Sequence, residues 1–329
     1  MAEFQTFKLK LSLKNGVILP AFLKYKTLGD PKNPAILIPT CYTGRINVTM
    51  NYIIGNNDAV SPNKYFIIIV GLFGGSESSS PSNQPAPYDG ANFPRTAYED
   101  NINAQFKLLQ HLNIEKLKAY IGYSMGGQQA YYFGIMYPDH VENIIPIASS
   151  AKTSGFNYNF LEGVKSTLNA SSDFLSNSYT EPVIIGTRAF GRVYSNWALS
   201  YEWFEEEAYK KAGYNTAEEY LLEEWEKRLT TWDARDLLQM AVTWQNGDIS
   251  TFYDGDLSNA LAAIKAKALV IPSKTDSYFR WEASVKEVEF LKNGKLAIIP
   301  SVWGHIAGGG AGHDGEQAFV NKNIEELLS

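Results

Sequence analysis

The stretch "KAYIGYSMGGQQAYYFGIMYP", residues 118–138, decides how the rest of the chain reads. Its first part, "KAYIGYS", is a short apolar run of the kind that forms a strand buried on both faces. Its last part, "GQQAYYFGIMYP", reads as a helix closed by a proline. Between them, Gly122-Tyr123-Ser124-Met125-Gly126 matches G-x-S-x-G. Such a turn lifts a serine out of the strand, and small residues two before and two after keep the backbone from colliding. The helix that starts there aims free N–H groups and its positive end at the same spot. The pentapeptide alone is a weak signal, and a glycine-rich turn with no chemistry is the plain alternative. The strand before it and the helix after it make Ser124 a candidate nucleophile.

Outward from this point the same rhythm repeats. "AILIPT" (35–40), "YFIIIVG" (65–71) and "VENIIPIASSA" (141–151) are further buried-strand runs. "TAYEDNINAQFKLLQHLNI" places Ile102, Phe106, Leu109 and Leu112 near one helical face. Strands alternating with helices imply a mostly parallel sheet with helical crossovers, an α/β fold. At the N-terminal side, "FKLKLSLKNGVILPAFLKYKTLG" (7–29) reads as two alternating strands joined by a turn at Asn15-Gly16.

From about residue 152 to 260 the rhythm stops, and helical segments take over, such as "TAEEYLLEEWEKRL" (216–229) and "DARDLLQMAVTW" (233–244). This region is expected to be a helical lid, 152–260, inserted into a core made of 1–151 and 261–329. Five of the seven tryptophans lie in it, Trp197, Trp203, Trp225, Trp232 and Trp244, and packing is their ordinary role. The sheet rhythm resumes with "ALVIPSKTD" (268–276) and "KLAIIPS" (295–301), and the helix "GEQAFVNKNIEELL" follows.

Composition narrows the function classes. Of the 329 residues, 45% are hydrophobic and 19% charged, with a net charge of −6 and no basic run, which disfavours nucleic acid and anionic membrane as partners. The longest apolar run, "YFIIIVGLF" (65–73), is far too short to span a bilayer. The N-terminal residues lack the apolar block and cleavage site of a secretory signal. Cys41 is the only cysteine, which leaves no internal disulfide and no Cys-based zinc site and makes a cytoplasmic setting the default. No H-E-x-x-H or close His pair suggests a catalytic metal, so none is expected. "HIAGGGAGHDG" is glycine-rich but does not form G-x-G-x-x-G, so no dinucleotide cofactor is expected either.

A serine nucleophile needs a base, and there are four histidines. His111 ends a helix, where it meets the C-terminal dipole. His140 sits in the loop after the nucleophile helix and reads as solvated. His305 follows the last strand, where a fold with the order Ser, acid, His keeps its base. His313, beyond the glycine run, is the runner-up. Asp276, just after "ALVIPS", is the expected acid, which holds the imidazole tautomer. Asp314, beside His313, is a weaker alternative. The oxyanion of an acyl-transfer intermediate needs two donors. One is the Met125 N–H, and the other is a backbone N–H of the loop "CYTGR" (41–45), from Tyr42 or Cys41. The Cys41 side chain is read as a small apolar group near the site.

These residues resemble the homoserine O-acetyltransferases of the α/β-hydrolase superfamily over most of the chain. "GYSMGGQQA" is similar to that family's "GGSMGGMQA". "TCYTG" resembles its "HALTG" oxyanion loop, which points to the Tyr42 N–H as donor. "KRLTTWDARDLLQMAVTWQNGDIS" resembles the end of its lid, and "SKTDSYF" and "GH" fall where it keeps acid and base. The resemblance implies an α/β-hydrolase fold, an acyl-serine intermediate and, for a transferase, acetyl-CoA as co-substrate. It also implies that the lid can build a homodimer. Arg188 corresponds to the lid arginine that meets the substrate carboxylate, and Tyr194 to its companion tyrosine, at a spacing one residue short.

The departures bear on substrate. Homoserine-using members carry an Asp after the catalytic His, and Ile306 stands there in this chain. An apolar residue leaves a buried ammonium unpaired, at considerable cost. The reading is therefore hydrolysis of small acetate-type esters. Transfer of acetyl to another hydroxyl is the alternative, and a non-catalytic binding module of the same fold is a second one.

Overall fold

The computed structural model describes residues 4–175, 181–312 and 314–329, so His313 lies outside the described residues. Eight strands form one sheet: β1 (Gln5–Ser12), β2 (Ile18–Leu28), β3 (Ala35–Pro39), β4 (Phe66–Val70), β5 (Leu117–Tyr123), β6 (Asn143–Ile147), β7 (Lys267–Val270) and β8 (Gly294–Leu296). Their order across the sheet is β1-β2-β4-β3-β5-β6-β7-β8. From β4 to β8 every neighbouring pair is parallel, while β2, between β1 and β4 near one edge, is antiparallel to both of its neighbours. β3, β4 and β6 are buried at every position, which is why they read as unbroken apolar runs rather than alternating ones.

The helices are α1 (Tyr98–His111), α2 (Met125–Met136), α3 (Gly155–Asn169), α4 (Ser172–Leu175), α5 (Ile184–Ala198), α6 (Tyr201–Glu205), α7 (Ala217–Tyr220), α8 (Ala234–Gln245), α9 (Leu257–Ala263), α10 (Trp281–Phe290) and α11 (Asp314–Leu328). α1, α2, α10 and α11 belong to the chain segments that build the sheet, and α3 to α9 lie in sequence between β6 and β7. The expected helix over 216–229 is not one α-helix. It begins as α7 and widens into a π-helical turn over Leu221–Lys227. A π-turn adds a residue to the helical repeat and is frequent at functional sites.

The inserted helices are held by aromatic packing. Trp203 and Trp244 are fully buried, and Trp225 and Trp232 nearly so. Phe160 of α3 stacks on Tyr278, at 5.0 Å between ring centroids, and Trp244 of α8 on Phe279 at 5.4 Å. Tyr278 and Phe279 follow β7, so these stacks fasten the insertion to the sheet beside Asp276. A second anchor is polar. Asp236 of α8 accepts hydrogen bonds from the hydroxyls of Ser76 and Ser82 and from the Ser82 amide, 2.6–3.0 Å, and so ties the insertion to the loop after β4. Among the described residues no helix is long and apolar enough to cross a membrane.

Candidate active site

Ser124 is the hinge between β5 and α2, with φ 56° and ψ −124°. A non-glycine residue pays about 1–3 kcal/mol for such a backbone, and only over-determined surroundings hold it there. Here they do. The Ser124 N–H donates to the Ile147 carbonyl at 2.9 Å. Its carbonyl accepts from the amides of Gly127 and Gln128 and from the Ser149 hydroxyl at 2.7 Å. A Cβ at Gly122 would lie 2.0 Å from the Gly126 carbonyl oxygen, so the turn closes only with glycine there.

The structure brings Ser124, His305 and Asp276 together. His305 Nε2 lies 3.0 Å from Ser124 Oγ, and His305 Nδ1 lies 2.7 Å from Asp276 Oδ2. All three are at most 3% exposed. The other Asp276 oxygen accepts from the amides of Tyr278 and Phe279, both at 3.0 Å, which fixes the carboxylate plane. Thr275 links the acid loop to the base loop. Its hydroxyl donates to the Ser301 carbonyl at 2.8 Å and accepts from the Gly304 amide at 3.0 Å. The other described histidines stand elsewhere: the His111 ring stacks on Phe7, and His140 Nδ1 lies 2.7 Å from the Glu115 carbonyl.

A cavity of about 180 Å³ opens over Ser124 and His305. Cys41, Tyr42, Tyr123 and Ile306 line it from the sheet side, and Tyr194, Trp225 and Arg228 from the inserted helices. Among the described residues neither the Tyr42 nor the Met125 amide donates to a protein acceptor. Both are therefore available at the two places where an oxyanion loop and a nucleophile-helix terminus supply donors. Burial pushes the Cys41 thiol up to about 12, so it stays protonated at neutral pH and is a poor nucleophile.

Arg188 does not join this group. Its Nε lies 2.9 Å from Glu226, on an outward-facing part of α5 where the Arg188 side chain is 57% exposed. α5 turns Tyr194 inward and Arg188 outward, because six residues on a helix correspond to 600° and leave the two about 120° apart. The cation that reaches the cavity is Arg228, just beyond the π-turn. Among the described residues no carboxylate forms an ion pair with it. The sequence held no sign of Arg228, because a regular 3.6-residue reading of 216–229 gives the wrong phase after the turn widens. Tyr123 is the other residue missed, although it occupies the variable place inside the G-x-S-x-G motif itself.

Comparison with known proteins agrees with this architecture. A family model described as the alpha/beta hydrolase fold matches residues 34–182. A probable esterase of Corynebacterium glutamicum is 32% identical, over 96% of this chain and 92% of its own length. The ethyl acetate hydrolase of Pseudomonas veronii is 31% identical, over 97% and 93%. The homoserine O-acetyltransferase of Chloroherpeton thalassium is 28% identical, over 92% and 84%. The crystal structure of an acetylester hydrolase from Corynebacterium glutamicum superposes with a TM-score of 0.96 at 30% identity, covering 99% of this chain and 96% of the other. The chain belongs to the α/β-hydrolase family, in the branch that holds both esterases and homoserine O-acyltransferases.

Proposed function

We propose that the protein hydrolyses small carboxylic esters, of the acetate type, through an acyl group carried on Ser124. Ser124 Oγ attacks the ester carbonyl as His305 Nε2 takes its proton, and Asp276 holds the imidazole and balances the imidazolium. The amides of Tyr42 and Met125 receive the oxyanion. The carbon–oxygen bond to the alcohol breaks, and His305 returns the proton to the departing alkoxide. Water then adds to the acyl-serine with His305 again as base, and the acid leaves as Ser124 regains its proton.

The observation that carries the choice of hydrolysis is the cavity wall. Ile306 lines it beside the base, and among the described residues its lining includes no carboxylate to meet a substrate ammonium. A cavity of about 180 Å³ is also smaller than the usual site for a drug-sized ligand. The printed activities of the esterase relatives support the same reading. The single cysteine supports a working place in a reducing cytoplasm.

One observation favours a second reading, transfer of acetyl from acetyl-CoA to a hydroxyl acceptor. The inserted helices wall the nucleophile so that Ser124 is only 2% exposed, and a dry site lets an alcohol compete with water. The two separate in one experiment. Acetate release from ethyl acetate or p-nitrophenyl acetate is followed with no alcohol present. Steady multiple turnover supports hydrolysis. A single burst of acyl-enzyme, turned over only when an alcohol is added, supports transfer and overturns hydrolysis.

A further inference from the structure

The chain places a tyrosine immediately before its nucleophile, and this side chain does not point to solvent. The Tyr123 ring lies 4.8 Å from the His305 imidazole between centroids, tilted by 30°. Its hydroxyl donates to the His305 backbone carbonyl at 3.3 Å. Burial holds that hydroxyl well above the usual tyrosine range, so it keeps the proton it donates.

The glycine run that follows the base has its explanation in the same contact. His305 sits in a short 3-10 turn, Gly304–Gly309, that curls around the Tyr123 ring. A Cβ at Gly308 would lie 2.7 Å from the Ala148 Cβ and 3.1 Å from the Tyr123 ring, and one at Gly309 would lie 3.0 Å from that ring. The far end of the turn is held by another tyrosine. The Tyr52 hydroxyl donates to the Gly308 carbonyl at 2.8 Å, and a Cβ at Gly310 would lie 2.4 Å from the Tyr52 ring. The base therefore rides on a turn wrapped between two aromatic rings, and one of them belongs to the neighbour of the nucleophile.

We infer that Tyr123 is a positioning residue for the base. It fixes the height and tilt of the His305 ring relative to Ser124, so that nucleophile and base are located by one piece of backbone. The inference rests on the triad reading above. During turnover the imidazole takes the serine proton, gives it to the leaving alkoxide, and repeats the exchange with water. Each exchange needs Nε2 within hydrogen-bond reach, and a misplacement of 1 Å costs about 100-fold in rate. Tyr123 also lines the cavity, so its loss can move KM, but its action through His305 is read in kcat.

The test is steady-state kinetics of the full chain on p-nitrophenyl acetate, with Tyr123→Leu, Tyr123→Phe and Ser124→Ala side by side. Tyr123→Phe keeps the ring and loses the donor, and Tyr123→Leu loses both. The expected kcat losses are about tenfold and about 100-fold, and the positioning role is read from kcat alone because Tyr123 also lines the cavity. A Tyr123→Leu kcat within about threefold of wild type, or a loss confined to KM, overturns the inference. Gly309→Ala covers the case in which Tyr123→Leu does not fold. Its methyl would lie 3.0 Å from the Tyr123 ring and is expected to lower kcat by about tenfold, and wild-type kcat there counts against the inference. Ser124→Ala separates the two levels. If it retains activity the triad reading falls, and if it is inactive while the Tyr123 variants are not, only the positioning role falls.

Discussion

The Tyr42 hydroxyl donates to the carbonyl of Leu237, 3.0 Å away and 195 residues later in the chain. Tyr42 belongs to the loop after β3, and Leu237 to α8 of the inserted helices. The Tyr42 ring also stacks on Tyr194 of α5, at 5.6 Å and 8°. The residue whose amide is assigned to the oxyanion thus has its side chain seated in the insertion, and the insertion helps to place a donor.

From this seat, Tyr42→Phe is expected to lower kcat by about tenfold, with a smaller effect on KM, because a displaced donor serves the transition state less well. The measurement is steady-state kinetics with p-nitrophenyl acetate. A wild-type kcat in Tyr42→Phe would show that the loop holds its donor without the insertion.

Arg188 and Arg228 make a paired prediction. Arg188→Gln removes one of the two arginines paired with the buried Glu226, on the face of α5 turned away from the cavity, and is expected to change kcat/KM for a neutral ester by less than about twofold, since Arg192 still pairs with that carboxylate. Arg228→Gln removes the positive charge at the cavity and is expected to lower kcat/KM further, by about threefold to tenfold, because a nearby cation favours a developing oxyanion. Kinetics showing the larger loss at Arg188 would reverse the placement of the two side chains.

Two glycines predict opposite outcomes for the same substitution. Gly122→Ala drives a methyl into the Gly126 carbonyl and is expected to abolish soluble, folded protein or cost more than about 3 kcal/mol. Gly163 lies inside α3 with nothing within 4 Å of an added Cβ, so Gly163→Ala is expected to stabilise by about 0.5–1 kcal/mol. Chemical denaturation of both variants checks the pair, and the signs matter more than the sizes.

Glu287 of α10 is buried where its carboxylate accepts hydrogen bonds from the Tyr131 hydroxyl and the Ala151 amide, both at 2.9 Å. Burial raises its pKa from 4.5 to about 7, with the two hydrogen bonds opposing that rise. The folded protein then binds more protons than the unfolded chain between those values. This contribution to stability is full below about pH 4.5 and is lost as the pH rises through 7, an effect of about 3 kcal/mol. Glu287→Gln removes the titration. Thermal unfolding of both proteins should show the variant gaining on wild type from pH 5 to pH 8, and a pH-independent difference would contradict the account.

What could be read from the sequence was whatever depends on local pattern. β3, β4 and β6 are legible because strands buried on both faces must be apolar throughout, and Gly122 and Gly126 mark a turn that only small residues permit. Ser124, Asp276 and His305 could be named together because chain order and strand ends leave few alternatives. Arg188 could not be placed, since a helix alone does not say which face looks inward. Arg228 was hidden by a change of helical period, and Tyr123 by the long-range fold of the glycine turn around it.

The insertion between β6 and β7 also orders events during synthesis. β6 ends at Ile147, and its parallel neighbour β7 begins only at Lys267. The sheet edge at β6 therefore waits, unpaired, while every inserted helix is made, and closing so long a loop is slow. The serine elbow can form early, since its partners up to Ser149 are already present. The base arrives with residue 305, after all eight strands. A growing chain thus carries its serine through the whole insertion without the histidine that would activate it, and it gains reactivity only once β8 has been made.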